Sequence, residues 1–165
     1  MSKRVFVSGF GIISALGNSG KENLQSLLDQ KSGINKPKFL STKYQDLMLG
    51  EVKASNNELA SIASVRGISS RTALLGLIAA EEAIDHSGLS VHDIKKAALL
   101  NGTSVGGMDV TELAYEEVLS SGKIKDVQKF NGHDCGHSTQ VIARSLGLKG
   151  YLGTISTACS SSANT

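Results

Sequence analysis

Tryptophan is absent from this chain of 165 residues, proline occurs only at Pro37, and cysteine only at Cys135 and Cys159. Two cysteines so far apart form neither a CxxC pair nor a disulfide framework, so the usage suits a reducing, cytoplasmic setting. Aromatic residues make up 4% of the chain while hydrophobic residues reach 40%. A core built on aliphatic and small side chains is therefore expected, and disorder is not. Charge of one sign is missing too: 17 Lys and Arg against 15 Asp and Glu leave +2, which argues against a nucleic-acid partner. No stretch approaches the roughly 20 apolar residues of a membrane span. The opening VFVSGFGIISALG is interrupted by Ser8, Gly9, Gly11 and Ser14, which counts against a signal peptide.

What is plentiful is glycine, 18 residues in clusters, the mark of tight turns and close backbone approaches. The length fits one compact α/β unit. RVFVSG reads as a first strand entering a glycine turn. A helix over about 21–30 follows, with Leu24, Leu27 and Leu28 expected to face the core. From Lys31 to about Val65 the pattern loosens, and LMLGEVK is the one short strand expected there. SSRTALLGLIAAEEAIDHSGL is the clearest helix, with Ala73, Leu77, Ala80 and Ile84 at helical spacing, and it is expected to lie against a sheet and to stop at Gly88. Its Glu81 and Glu82 read as a solvated edge. KAALLNGTSVGG gives a buried strand and a glycine loop, MDVTELAYEEVL and GHSTQVIARSLGL two more helices, and YLGTISTA a strand running into Cys159. Alternating strands and helices imply a mostly parallel sheet covered by helices.

Three chemistries compete for this frame. GFGIIS imitates a dinucleotide fingerprint, but Ser14 stands at the last glycine, the helix starts too far downstream, and no acidic residue closes a second strand. His133, Cys135 and His137 alternate in HDCGH. Alternate residues share a face only in an extended segment, this one opens a helix, and no fourth ligand is in sight, so core or loop roles are expected. Cys159 has the most specific context: a β-rich run ends at Thr157 and Ala158, and Ser160, Ser161 and Ser162 suit a helix's first turn. That placement sets sulfur beside unpaired N–H groups at the positive end of a helix dipole, which favours the attacking thiolate. A buried structural cysteine is the alternative, and the small neighbours on both sides favour a nucleophile open to substrate.

STACSSS resembles the active-site motif of β-ketoacyl-acyl-carrier-protein synthases, enzymes of the thiolase-like fold. The resemblance extends to RVFVSGFGIISALGNSGKENLQSLLDQKSGI, to SSRTALLGLIAAEEAIDHSGL, to NGTSVGG and to LGLKGYLGTISTACSSS, in family order along the whole chain. It implies that Cys159 takes an acyl group from a carrier-protein thioester, and that malonyl-carrier protein then decarboxylates so that its carbanion attacks the acyl-enzyme. The Cys159 N–H would be one oxyanion-hole donor, and Val105 would line the acyl pocket. Ser104 stands where a glycine is common and Tyr151 where a proline is frequent, which leaves chain-length preference open. Lys123, Lys125 and Lys129 form a basic run that reads as a solvated loop, in a region that could meet an acidic acyl carrier protein.

In that family two histidines and a supporting lysine act from the second half, and His86, His92, His133 and His137 fall in no matching motif. The resemblance thus implies that residues 1–165 are an N-terminal ketosynthase part, one half of a duplicated layered architecture, ending just after the nucleophile and inactive in condensation alone. Its parent would be a cytoplasmic homodimer without a cofactor or metal. The expectation includes a frayed catalytic turn, since six residues are too few for an isolated helix. A non-catalytic chain-length partner and a thiolase acting on coenzyme A esters are the competing functions.

Overall fold

The computed structural model describes residues 4–65, 70–123 and 127–165, so Lys125 of the basic run lies outside the described residues. Two parallel strands, β3 (Leu99–Gly102) and β4 (Leu152–Ile155), run in register from Leu99 opposite Leu152 to Gly102 opposite Ile155. Between them the chain passes through α5 (Met108–Ser121), a 3-10 segment (Val127–His133) and α6 (Cys135–Ser145), and α6 lies on both strands. This is the expected strand–helix–strand unit, and it brings the C-terminal ends of β3 and β4 side by side.

Upstream come α1 (Gly20–Leu28), a two-residue antiparallel pairing of β1 (Ile34–Asn35) with β2 (Leu49–Gly50), then α2 (Asn56–Ile62), α3 (Arg71–Ser87) and α4 (Val91–Lys96). The core is where α2, α3 and α6 meet: Ala54, Leu59, Ala63, Leu74, Leu77, Ile78 and Ile142 are all buried. The long helix α3 therefore packs chiefly on α6 and α2, and Leu99 of β3 is packed against the same core. Ala73 and Leu77 of its expected stripe are buried and Gly88, at φ 65, ends it. Arg71 at its start donates to the carbonyls of Val52 and Ala54 and to the side chain of Asn56, holding the turn before α2.

Three expectations change. The segment RVFVSG forms no strand: it has no ladder partner among the described residues, and Val5, Phe6 and Val7 are exposed. β-Branched residues favour extended backbone, but a strand also needs a neighbour for its N–H and C=O groups. Only its end meets α3: Gly9, Phe10, Gly11 and Ile12 lie against that helix. A Cβ on Gly11 would collide with the carbonyl of Ala79, so the glycines of GFG serve a close approach to a helix where a dinucleotide would need open space. Glu82 is not merely a solvated edge, because its two carboxylate oxygens accept the N–H groups of Ile12 and Gly20 at 2.8 and 2.7 Å. In α1 the expected face is reversed: Leu24, Leu27 and Leu28 are exposed while Asn23 is buried, donating to the carbonyls of Gly17 and Ser19.

Candidate active site at the end of the second parallel strand

β4 ends at Ile155, whose carbonyl accepts the N–H of Thr103 at 3.0 Å, so the pairing continues one residue past the strands. The chain then turns through Ala158, which has a left-handed φ of 52°, into a six-residue 3-10 helix, Ala158–Ala163. Cys159 is its second residue and is exposed, a free thiol. No acceptor among the described residues takes the Cys159 N–H, as expected for the opening donors of a helix. The expected α-helical first turn is thus a short 3-10 turn, and the chemical case for Cys159 rests on access and on this unshared N–H, not on the dipole of a long helix.

The turn is not frayed. Ser161, buried to 2% exposure, accepts the N–H of Thr157 at 3.0 Å and has the carbonyls of Thr103 and Ala158 within reach of its hydroxyl at 3.1 and 2.6 Å. Ser160 donates to the Thr157 carbonyl and Asn164 to the Thr157 hydroxyl. Local side-chain hydrogen bonds, with one tertiary tie to Thr103, replace the intrinsic stability that an isolated six-residue helix lacks.

The glycine loop after β3 supplies the facing wall. Ser104 donates to the Ala158 carbonyl at 2.9 Å, so Val105 and Cys159, each the next residue, flank one hydrogen bond. Val105 is half exposed on that loop. Gly106 donates to the Thr103 hydroxyl and holds φ 58, and a Cβ there would come within 2.9 Å of the Cys135 Cα. The loop is thereby seated on the start of α6.

This seat gives three residues of HDCGH structural partners. Asp134 caps α6 by accepting the Gly136 N–H, His133 Nδ1 meets the Thr111 hydroxyl at 3.2 Å, and the Cys135 thiol reaches the Ser156 hydroxyl at 3.4 Å. Beneath the site, Asn101 donates to Ser138 and Thr139, and Thr139 pairs with Thr154 at 2.6 Å. Both α6 residues are buried, so a polar layer fixes α6 against both strands. Of the basic run, Lys123 is exposed and Lys129 is ion-paired with Glu117 at 2.9 Å. In the sequence alone Ser161 is placed only as a small residue of a helix's first turn, and neither Thr103 nor Asn101 is singled out. Their signal was the unusual density of small polar residues in NGTS and ACSSS.

The family model for the β-ketoacyl synthase N-terminal domain matches residues 2–165. The chain belongs to the β-ketoacyl synthase family. A 3-oxoacyl-[acyl-carrier-protein] synthase 2 of Staphylococcus aureus (strain N315) is 27% identical over 99% of this chain and 40% of its own length. The ishigamide ketosynthase/chain length factor superposes with TM-score 0.81 at 24% identity, covering 95% of this chain and 40% of that one. The ketosynthase of the AntDE:AntF complex, a type II PKS acyl-carrier protein with its ketosynthase, superposes at TM-score 0.71 and 19% identity over 98% of this chain and 40% of that one. The fold is thiolase-like, and this chain spans about 40% of the length of the relatives it matches.

Proposed function

We propose that residues 1–165 form the acyl-accepting N-terminal part of a β-ketoacyl-acyl-carrier-protein synthase in fatty-acid or polyketide-type synthesis. The observation that carries the reading is Cys159: an exposed thiol on a tied turn, with its own N–H unshared beside it. The Cys159 thiolate attacks the thioester carbonyl of an acyl-carrier protein and a new C–S bond forms. The oxyanion is met by the Cys159 N–H, and the carrier's thiolate departs and takes a proton. Val105, across the Ser104–Ala158 bond, lines the channel for the acyl chain. Decarboxylation of malonyl-carrier protein and carbon–carbon bond formation then need groups that the four histidines of this chain do not supply, and the working enzyme is a cytoplasmic homodimer.

The match to a 3-oxoacyl-[acyl-carrier-protein] synthase supports a carrier-protein thioester over a coenzyme A ester as donor. Among the described residues of the basic run, Lys123 is exposed and available to an acidic carrier. Incubation with an acyl-carrier protein, followed by peptide mass mapping, is expected to place the acyl group on Cys159, and Cys159→Ala is expected to carry none. Condensation of malonyl-carrier protein by residues 1–165 alone would contradict the assignment of that step to other groups. Faster acylation from acetyl-coenzyme A than from the carrier would favour a thiolase.

A further inference from the structure

We infer that Ser104 is a positioning residue for acyl transfer: its hydroxyl, donated to the Ala158 carbonyl, aims and polarises the peptide unit whose N–H belongs to Cys159. This rests on the reading of Cys159 as the acyl acceptor. The Ala158 C=O and the Cys159 N–H are two ends of one planar group, and no described peptide bond is cis. A donor held on the oxygen end therefore sets the direction in which the N–H points. It also draws electron density toward oxygen, which makes that N–H a better donor to a developing oxyanion.

The peptide needs such a hold. Ala158 sits at φ 52, a region that residues other than glycine keep only where the surroundings impose it. Two hydroxyls converge on its carbonyl, Ser104 at 2.9 Å and Ser161 at 2.6 Å. Ser161 has one proton and a second acceptor, the Thr103 carbonyl at 3.1 Å, so its hold on Ala158 is shared. Among the described residues Ser104 donates to Ala158 alone. It is also exposed, so changing it opens no cavity, whereas Ser161 is buried and built into the turn.

Two reactions of the same sulfur separate this role from simple support of the turn. Attack on an acyl-pantetheine thioester passes through a carbonyl oxyanion. Alkylation by iodoacetamide forms the S–C bond and expels iodide with no oxyanion. Both rates at Cys159 are measured by peptide mass mapping in the native chain and in Ser104→Ala, Ser104→Thr and Ser104→Val. Thr and Val have nearly the same shape and differ in the hydroxyl, so their comparison stands even if Ala disturbs the loop.

The expected result is acylation about 5- to 10-fold slower in Ser104→Ala than in the native chain, the size of one net hydrogen bond. Ser104→Val is expected to be slower than Ser104→Thr by a similar factor, with iodoacetamide rates equal throughout. Unchanged acylation, or equal losses in both reactions, would overturn the role given to Ser104 and leave Cys159 as the acceptor. A native chain that is alkylated at Cys159 but never acylated would overturn the reading of Cys159 itself, and the Ser104 role with it.

Discussion

At the scale of single residues, the site depends on backbone conformations that side chains hold in place. Ala158 at φ 52 is tolerated because it has only a methyl group. A β-branched residue there clashes with its own backbone, so Ala158→Val is expected to cost about 1–3 kcal/mol in urea unfolding, while Ala158→Gly stays within about 1 kcal/mol of the native chain. Gly106→Ala meets both a positive φ and the Cys135 backbone, and is expected to lower the melting temperature and to slow labelling of Cys159 by displacing the loop. The place of Cys159 just past the end of a strand could be read from its neighbours alone, since a strand ending in small residues is a local pattern. Ser104 and Ser161 could not, because their partners lie 54 and 58 positions away and sequence spacing carries no trace of a pairing made by the fold.

At the scale of elements, helical periodicity located α3, α5 and α6, whose runs of 17, 14 and 11 residues are long enough to repeat an apolar stripe. α2 and α4, with 7 and 6 residues, are too short for that, yet each has a capping box, Ser55 with Glu58 and Ser90 with Asp93. That signal was present in the sequence as S-x-x-E and S-x-x-D. The contact of Gly9–Ile12 and Gly20 with α3 was illegible because one of its anchors, Glu82, lies 62 and 70 residues from the N–H groups it accepts. Glu82→Ala is expected to destabilise the fold by about 1–2 kcal/mol, allowing for partial exposure, and to speed hydrogen exchange at Ile12 and Gly20.

Glu51 performs a similar task for the loop before β2. Burial pushes its carboxyl upward, but the N–H groups of Lys38, Phe39 and Leu40, with the charge of Arg71, outweigh burial and hold it below the usual glutamate value. A depressed pKa in the folded state means that its stabilisation is complete above the unfolded value and lost as pH falls through the folded one. The stability gap between the native chain and Glu51→Gln is therefore expected to narrow as pH drops below about 4.

At the scale of the whole molecule, the layered parallel unit is the part that strand–helix alternation made legible, and the apolar surface is the part it did not. Leu24, Leu27 and Leu28 of α1, and separately Val5, Phe6 and Val7, are exposed apolar side chains, and apolar groups clustered at a surface mark contact sites. Their helical and strand-like spacing called for burial, and nothing in a linear pattern says which partner provides it. Concentration-dependent self-association is expected, read by sedimentation velocity, and Leu24→Gln with Leu28→Gln is expected to weaken it. Cys159 is the proposed acyl acceptor, and the chain has its own reference thiol, Cys135, half-buried on α6. Exposure of the native protein to an acyl-carrier-protein thioester, with both cysteine peptides quantified in the same digest, tests this most directly. Acyl mass on the Cys159 peptide with Cys135 unmodified is the predicted result, and an unmodified Cys159, or equal modification of the two, would contradict it.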